Sequence, residues 1–178
     1  ANGSARLGRI VADVAGKRLG KTLLELGGNN WVLVMNDANL DLALRAVLFA
    51  AVGTAGQRCT STRRLFLQRA VAAGFIEKLK AAYGQIRIGD PTEERTLVGP
   101  LIDRQAVETM LAALDQARAQ GAEVIFGGRD LGGCYVEPAL VKARANMPIV
   151  HEETFAPILY LIEFDTLDEA IAMQNDVP

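Results

Sequence analysis

Three short segments carry side chains able to do chemistry. The first is Gly56-Gln57-Arg58-Cys59-Thr60, a cysteine just after the Gly-rich break Gly53-Thr54-Ala55-Gly56, where a new helical turn could begin. A cysteine there would see the positive end of a helix and the neighbouring Arg58, both of which favour thiolate over thiol and so favour nucleophilic attack. The same spacing also fits a buried cysteine acting as a small hydrophobe. The second segment is Leu24-Glu25-Leu26-Gly27-Gly28, one carboxylate in an otherwise apolar strand end. Burial would raise its pKa and make Glu25 a general base near neutrality, unless a Lys or Arg pairs with it structurally. The third is Glu152-Glu153-Thr154-Phe155-Ala156-Pro157, two acids and an aromatic on a turn, equally readable as a solvated loop. Cys134, between Gly133 and Tyr135, reads as a bystander.

These segments need elements to hold them. Ser4 can cap a helix running to about Leu19, with Leu7, Ile10, Val11 and Val14 at helical spacing, before a short strand at Thr22–Leu26. Trp31–Met35 reads as a buried strand and Asn39–Val52 as an amphipathic helix. Arg64–Gln68 alternates as a strand does, Val71–Ile86 places its apolar residues on one helical stripe, and Asp103 caps a further helix ending at Gly121. Strands at Val124–Phe126, Tyr135–Val141 and Ile158–Phe164 and a helical start at Leu167–Gln174 complete the pattern. Such β/α alternation predicts an α/β fold with a largely parallel sheet, in which loops at strand ends carry the chemistry. The opening inside a helix-capping loop and the stop just after a helical pattern predict a fragment.

Composition narrows the function. Lys and Arg number 19 against 21 Asp and Glu, a net charge of −2 that argues against a nucleic-acid binder. Ala46–Val52 and Ile158–Ile162 fall far short of the roughly 20 apolar residues of a membrane span. Two cysteines and one histidine make neither a disulfide framework nor a metal-ligand cluster, so no metal is expected and a reduced, cytoplasmic setting is.

In order and spacing the three segments resemble one family, the NAD(P)-dependent aldehyde dehydrogenases. Leu24–Gly28 resembles its glutamate motif, Gly56–Thr60 its cysteine motif, Glu152–Pro157 its cofactor-ribose motif, and Gly3-Ser4-Ala5-Arg6-Leu7-Gly8 the loop and helix start beside the cofactor pyrophosphate. Ala156 departs from the glycine common among relatives. The stretches Leu24–Asn30 and Ala50–Thr60 are most similar to the antiquitin branch, which oxidises α-aminoadipic semialdehyde. The resemblance implies that residues 1–27 end a Rossmann-like cofactor domain and that residues 28–178 belong to the catalytic domain. It implies NAD as cofactor, with NADP also open, a small aldehyde as substrate, and a homo-oligomer.

The resemblance also implies roles. Cys59 attacks the aldehyde carbon to form a thiohemiacetal, with its own backbone N–H one donor to the oxyanion and an asparagine from an upstream segment another. After hydride leaves for the nicotinamide, Glu25 activates the water that hydrolyses the thioester. Gly3, Ser4, Leu26 and Gly27 line the cofactor, Glu153 hydrogen-bonds its ribose, and Phe155 packs near its ring. Arg58 suits a substrate carboxylate, or only tunes the thiolate. The rivals are a CoA-acylating relative, a cysteine hydrolase using His151, and an inactive segment serving binding or assembly. If Cys59 is the activated thiol, iodoacetamide will label it well below the pH at which it labels Cys134; equal, slow labelling of both would remove the nucleophile assignment.

Overall fold

Ser4, Asn39, Asp103 and Thr166 each begin a helix by the same device, a side-chain oxygen that accepts the N–H three residues on, from Leu7, Leu42, Ala106 and Glu169. The computed structural model describes residues 1–177. Those four caps open α1 (Ala5–Lys17), α2 (Leu40–Val52), α4 (Arg104–Ala119) and α6 (Leu167–Asn175). Helix α3 (Arg69–Tyr83) has no side-chain cap and follows its strand directly, and α5 is a single turn, Pro148–His151.

The described residues also form nine strands: β1 (Asn2–Gly3), β2 (Glu25–Leu26), β3 (Trp31–Val34), β4 (Arg64–Gln68), β5 (Glu123–Phe126), β6 (Asp130–Gly132), β7 (Tyr135–Val136), β8 (Ala139–Lys142) and β9 (Ile158–Phe164). The main sheet has the order β3-β4-β9-β8-β5, parallel except where β5 runs against β8 at one edge. The expected largely parallel α/β architecture is therefore present. Parallel β1 and β2 make a separate two-stranded ribbon beneath α1, and β6 and β7 a small antiparallel hairpin.

The core follows the two central strands. Arg64 through Leu67 in β4, and Ile158 through Ile162 in β9, are buried without alternation, so both faces of the sheet are covered. Phe75, Leu79, Val107, Met110 and Leu114 supply the helical side of that core, as their spacing predicts.

Some expectations need correction. Trp31–Met35 is not a buried strand: β3 lies at the sheet edge, and Trp31 is 42% exposed. Pro138 has no N–H for a ladder and splits the predicted strand Tyr135–Val141 into β7, which pairs with β6, and β8, which joins the main sheet. Of the strand predicted at Thr22–Leu26, only Glu25–Leu26 pairs as a strand. Leu7, Ile10 and Val14 form the predicted stripe on α1 but remain exposed, while Gly8 sits against the Leu26 side chain, where a Cβ would fall 2.5 Å from Leu26 Cδ1. Among the described residues no helix is long and apolar enough to cross a membrane. Because Leu159 on the central strand is fully buried, Leu159→Ala is expected to lower stability by about 2–5 kcal/mol in urea unfolding, through lost transfer energy and a residual cavity.

Candidate active site

Helix α2 does not run on into the cysteine. After Gly53 the chain turns left-handed for three residues, with φ +54° at Thr54, +52° at Ala55 and +69° at Gly56. Only the last is a glycine, so the first two are held in a conformation that L-residues adopt at a cost. Gly56 has a second reason to be glycine, since a Cβ there would lie 2.5 Å from the backbone C and O of Ala156. This is how the cysteine segment reaches the segment before β9.

The cysteine then sits on a turn. The Ser61 N–H donates to the Arg58 carbonyl at 3.1 Å, and the Arg58 N–H donates back to Ser61 Oγ at 3.1 Å. Cys59 and Thr60 occupy the exposed corner, and the Cys59 N–H has no partner among the described residues. No helix begins at Cys59, contrary to the expectation from the Gly-rich break. The next one, α3, starts only after β4, so the favourable local groups are side chains and a free N–H rather than a helix terminus.

Asn30 holds this turn from outside. Its Nδ2 donates to the carbonyls of Cys59 and Ser61, and its own carbonyl accepts the N–H groups of Arg63 and Arg64 at 3.0 and 3.1 Å. The Thr62 N–H bonds the Ala50 carbonyl, tying the same stretch to α2. Every carbonyl and amide used here is fixed before any ligand arrives, which is the preorganisation a reacting centre requires.

Two adjacent arginines follow. Arg64 is 1% exposed and, among the described residues, hydrogen-bonds only backbone: Nε and Nη2 donate to the Asn29 carbonyl at 3.0 and 2.7 Å, and both Nη atoms reach the Gln174 carbonyl at 3.4 Å, with the guanidinium 5.5 Å from the centre of the Phe66 ring. Arg63 turns the other way. Its Nη1 donates to the Ser61 carbonyl, its Nη2 to the Arg58 carbonyl and to Glu153 Oε1 at 3.4 Å, and its guanidinium lies 5.2 Å from the centre of the Phe155 ring. Burial pulls the Arg63 pKa below its ordinary value, and the charges of Glu153 and Cys59 push it back up. Reading the sequence missed Arg63. An arginine at the mouth of a fully buried strand was the available signal.

The remaining predicted residues divide into those drawn together and those apart. Glu153 lies against Gly27 so closely that a Cβ there would fall 1.9 Å from Glu153 Oε2. At the start of α1, Ser4 caps Leu7 and leaves the N–H groups of Ala5 and Arg6 without partners among the described residues, while Gly3 pairs with Leu26 across the ribbon. Glu25 is exposed on β2, and its carboxylate has no hydrogen bond or ion pair among the described residues. Its expected burial is thus not found, because the ribbon is only two residues long. Arg58 is half-buried, stacked 5.2 Å from the centre of Phe49, with its Nε buried and unpartnered. His151 is engaged elsewhere, its Nε2 on the Ala145 carbonyl at 2.6 Å.

Comparison with known proteins explains why three distant segments converge in this way. A model of the aldehyde dehydrogenase family matches residues 1–178. The chain belongs to that family. It is 49% identical over 178 residues to aldehyde dehydrogenase family 7 member A1 of Pisum sativum, covering 99% of this chain and 35% of the relative. To the α-aminoadipic semialdehyde dehydrogenase of Mus musculus it is 48% identical, covering 98% and 33%. Among solved structures, the lactaldehyde dehydrogenase of Escherichia coli aligns with a TM-score of 0.95 at 38% identity, covering 99% of this chain and 38% of the other. The NAD+ complex of betaine aldehyde dehydrogenase from Staphylococcus aureus aligns with a TM-score of 0.96 at 28% identity, covering 99% and 36%. The chain thus spans about a third of the length of the curated relatives it matches.

The left-handed run gives opposite expectations for two substitutions. Gly56→Ala, which meets the Ala156 backbone and adopts an unfavourable φ, should lower stability by about 2–4 kcal/mol. Thr54→Gly should raise it by about 1 kcal/mol by removing the strain at φ +54°. Denaturant midpoints of the two variants check both signs.

Proposed function

We propose that this chain is the nucleophile-bearing part of an NAD-dependent aldehyde dehydrogenase that converts an aldehyde to a carboxylic acid, with α-aminoadipic semialdehyde as its substrate. One observation carries the reading: the cysteine turn, the Gly27 backbone and the Glu153 carboxylate, separated by up to 126 residues, meet at one place through Arg63 and the Gly27 contact. The 48% identity to α-aminoadipic semialdehyde dehydrogenase supports the choice of substrate. Residues 1–27, whose ribbon and helix pack on one another, fit the end of a cofactor domain, and residues 28–178 the catalytic domain.

The residues present fit a dinucleotide. The free N–H groups of Ala5 and Arg6 at the start of a 13-residue helix suit a pyrophosphate, and the absence of a Cβ at Gly27 lets the Glu153 carboxylate approach the backbone. When bound, NAD supplies the acceptor for the hydride that leaves the substrate carbon. Glu153 would accept a hydrogen bond from a ribose hydroxyl, and the open face of Phe155 would rest near the nicotinamide. Gly3, Ser4 and Leu26 shape the neighbouring wall.

Cys59 attacks the aldehyde carbon as thiolate, and the negative charge moves to the former carbonyl oxygen. Its unpartnered N–H is available to that oxygen. Once the carbon is at the thioester level, Glu25 takes a proton from water, whose oxygen attacks the carbonyl and expels the Cys59 thiolate. The free carboxylate of Glu25 suits this proton transfer. Arg58, with an unpartnered Nε and a guanidinium braced on Phe49, offers a charge partner for a carboxylate at the far end of the substrate.

In the complete polypeptide, Cys59→Ala should lower turnover on the order of a thousandfold or more. Glu25→Gln should slow hydrolysis about 10²–10⁴-fold and release a burst of about one NADH per Cys59. Arg58→Ala should raise KM for α-aminoadipic semialdehyde about 10–100-fold and leave an uncharged aldehyde of similar length unaffected. Wild-type protein that forms no acid from any aldehyde with NAD would overturn the assignment, and equal effects of Arg58→Ala on both substrates would overturn the substrate.

A further inference from the structure

We propose that Arg63 is a positioning residue: it fixes the Glu153 carboxylate relative to the turn that carries Cys59. The inference rests on the dehydrogenase reading and adds to it a residue that none of the three motifs contains. The contrast with Arg64 carries it. Both guanidinium groups are withdrawn from water, at 2% and 1% residue exposure, and a buried cation must find compensating partners. Among the described residues Arg64 finds its hydrogen-bond acceptors in the backbone carbonyls of Asn29 and Gln174 alone, and its guanidinium lies 5.5 Å from the centre of the Phe66 ring. It serves as scaffold. Arg63 uses the two carbonyls that flank the cysteine corner, Arg58 and Ser61, together with the carboxylate of Glu153 and the face of Phe155. A single planar group therefore touches both sides of the cysteine turn and two of the residues assigned to the cofactor, Glu153 and Phe155.

The geometry divides the Glu153 carboxylate into two oxygens with different tasks. Oε1 meets Arg63 Nη2, and Oε2 lies nearest the Gly27 backbone. Anchoring one oxygen stops rotation of the carboxylate, so its remaining lone pairs hold a fixed direction toward a ribose hydroxyl. Arg63 transfers no proton and forms no bond in the reaction.

The test uses the complete polypeptide with Arg63→Gln, Arg63→Lys and, as a scaffold control, Arg64→Lys. Besides turnover, the Kd for NAD is read by calorimetry. Arg63→Gln is expected to weaken NAD binding about tenfold. Arg63→Lys keeps the charge but cannot span two carbonyls and a carboxylate together, so the Kd remains raised. Arg64→Lys should leave the Kd in place and lower only thermal stability. A folded Arg63→Gln with unchanged Kd overturns the proposal. If Arg63→Gln does not fold, Arg63→Lys decides, a raised Kd supporting the proposal and an unchanged one overturning it; failure of both to fold makes Arg63 a scaffold residue and also overturns it. Wild-type protein that binds no NAD would overturn the dehydrogenase reading and this proposal together.

Discussion

Two buried arginines at the head of β4 constrain everything near them. A guanidinium removed from water must be met by acceptors, and among the described residues only one carboxylate, that of Glu153, reaches this pair. The rest of the compensation comes from the faces of Phe155 and Phe66 and from main-chain carbonyls at Asn29, Arg58, Ser61 and Gln174, which point inward where the chain is irregular or at the end of a helix. The loops after β2, before β4 and at the end of α6 are therefore shaped by the same two cations. Their irregularity is what leaves the Cys59 N–H and thiol free at a corner instead of engaged in a ladder.

The parallel sheet turns that local demand into a site. Strands β3, β4 and β9 run in one direction side by side, so the segments that precede them enter at the same edge of the sheet. Asn30 before β3, the cysteine turn before β4 and Glu153 with Phe155 before β9 become neighbours by topology. Close approaches at Gly27 and Gly56, where no side chain intervenes, bring the backbones the remaining distance. Asn30 then ties β3's entrance to β4's through four hydrogen bonds of its side chain and carbonyl.

Much of this was legible in the residues alone. The caps at Ser4, Asn39 and Asp103 and the apolar runs of β4 and β9 appear directly as residue types and periods, because local chemistry specifies them. Cys59, Glu153, Phe155 and Gly27 were legible as members of motifs. What escaped depended on partners distant in sequence. The edge position of Trp31 follows from strand order, the break at Pro138 from which strands β7 and β8 pair with, and the exposure of Glu25 from a ribbon only two residues long. Arg63 was hidden for the same reason: beside Arg64, before an apolar strand, it looks like a solvated boundary until Glu153 arrives from 90 residues away.

The place of β9 has a consequence for biosynthesis. It is made after both β4 and β8, yet it lies between them. Until the ribosome delivers residues 158–164, those two strands have no common neighbour and each presents an open row of amides and carbonyls, a surface that invites pairing with other chains. The Asn30 tether to the cysteine turn spans only 29 residues and can form early, whereas Glu153 and Phe155 come into place only with β9. The nascent chain thus builds the cysteine turn before the carboxylate and aromatic facing it, and its open strand edges are exposed to self-association in the interval between.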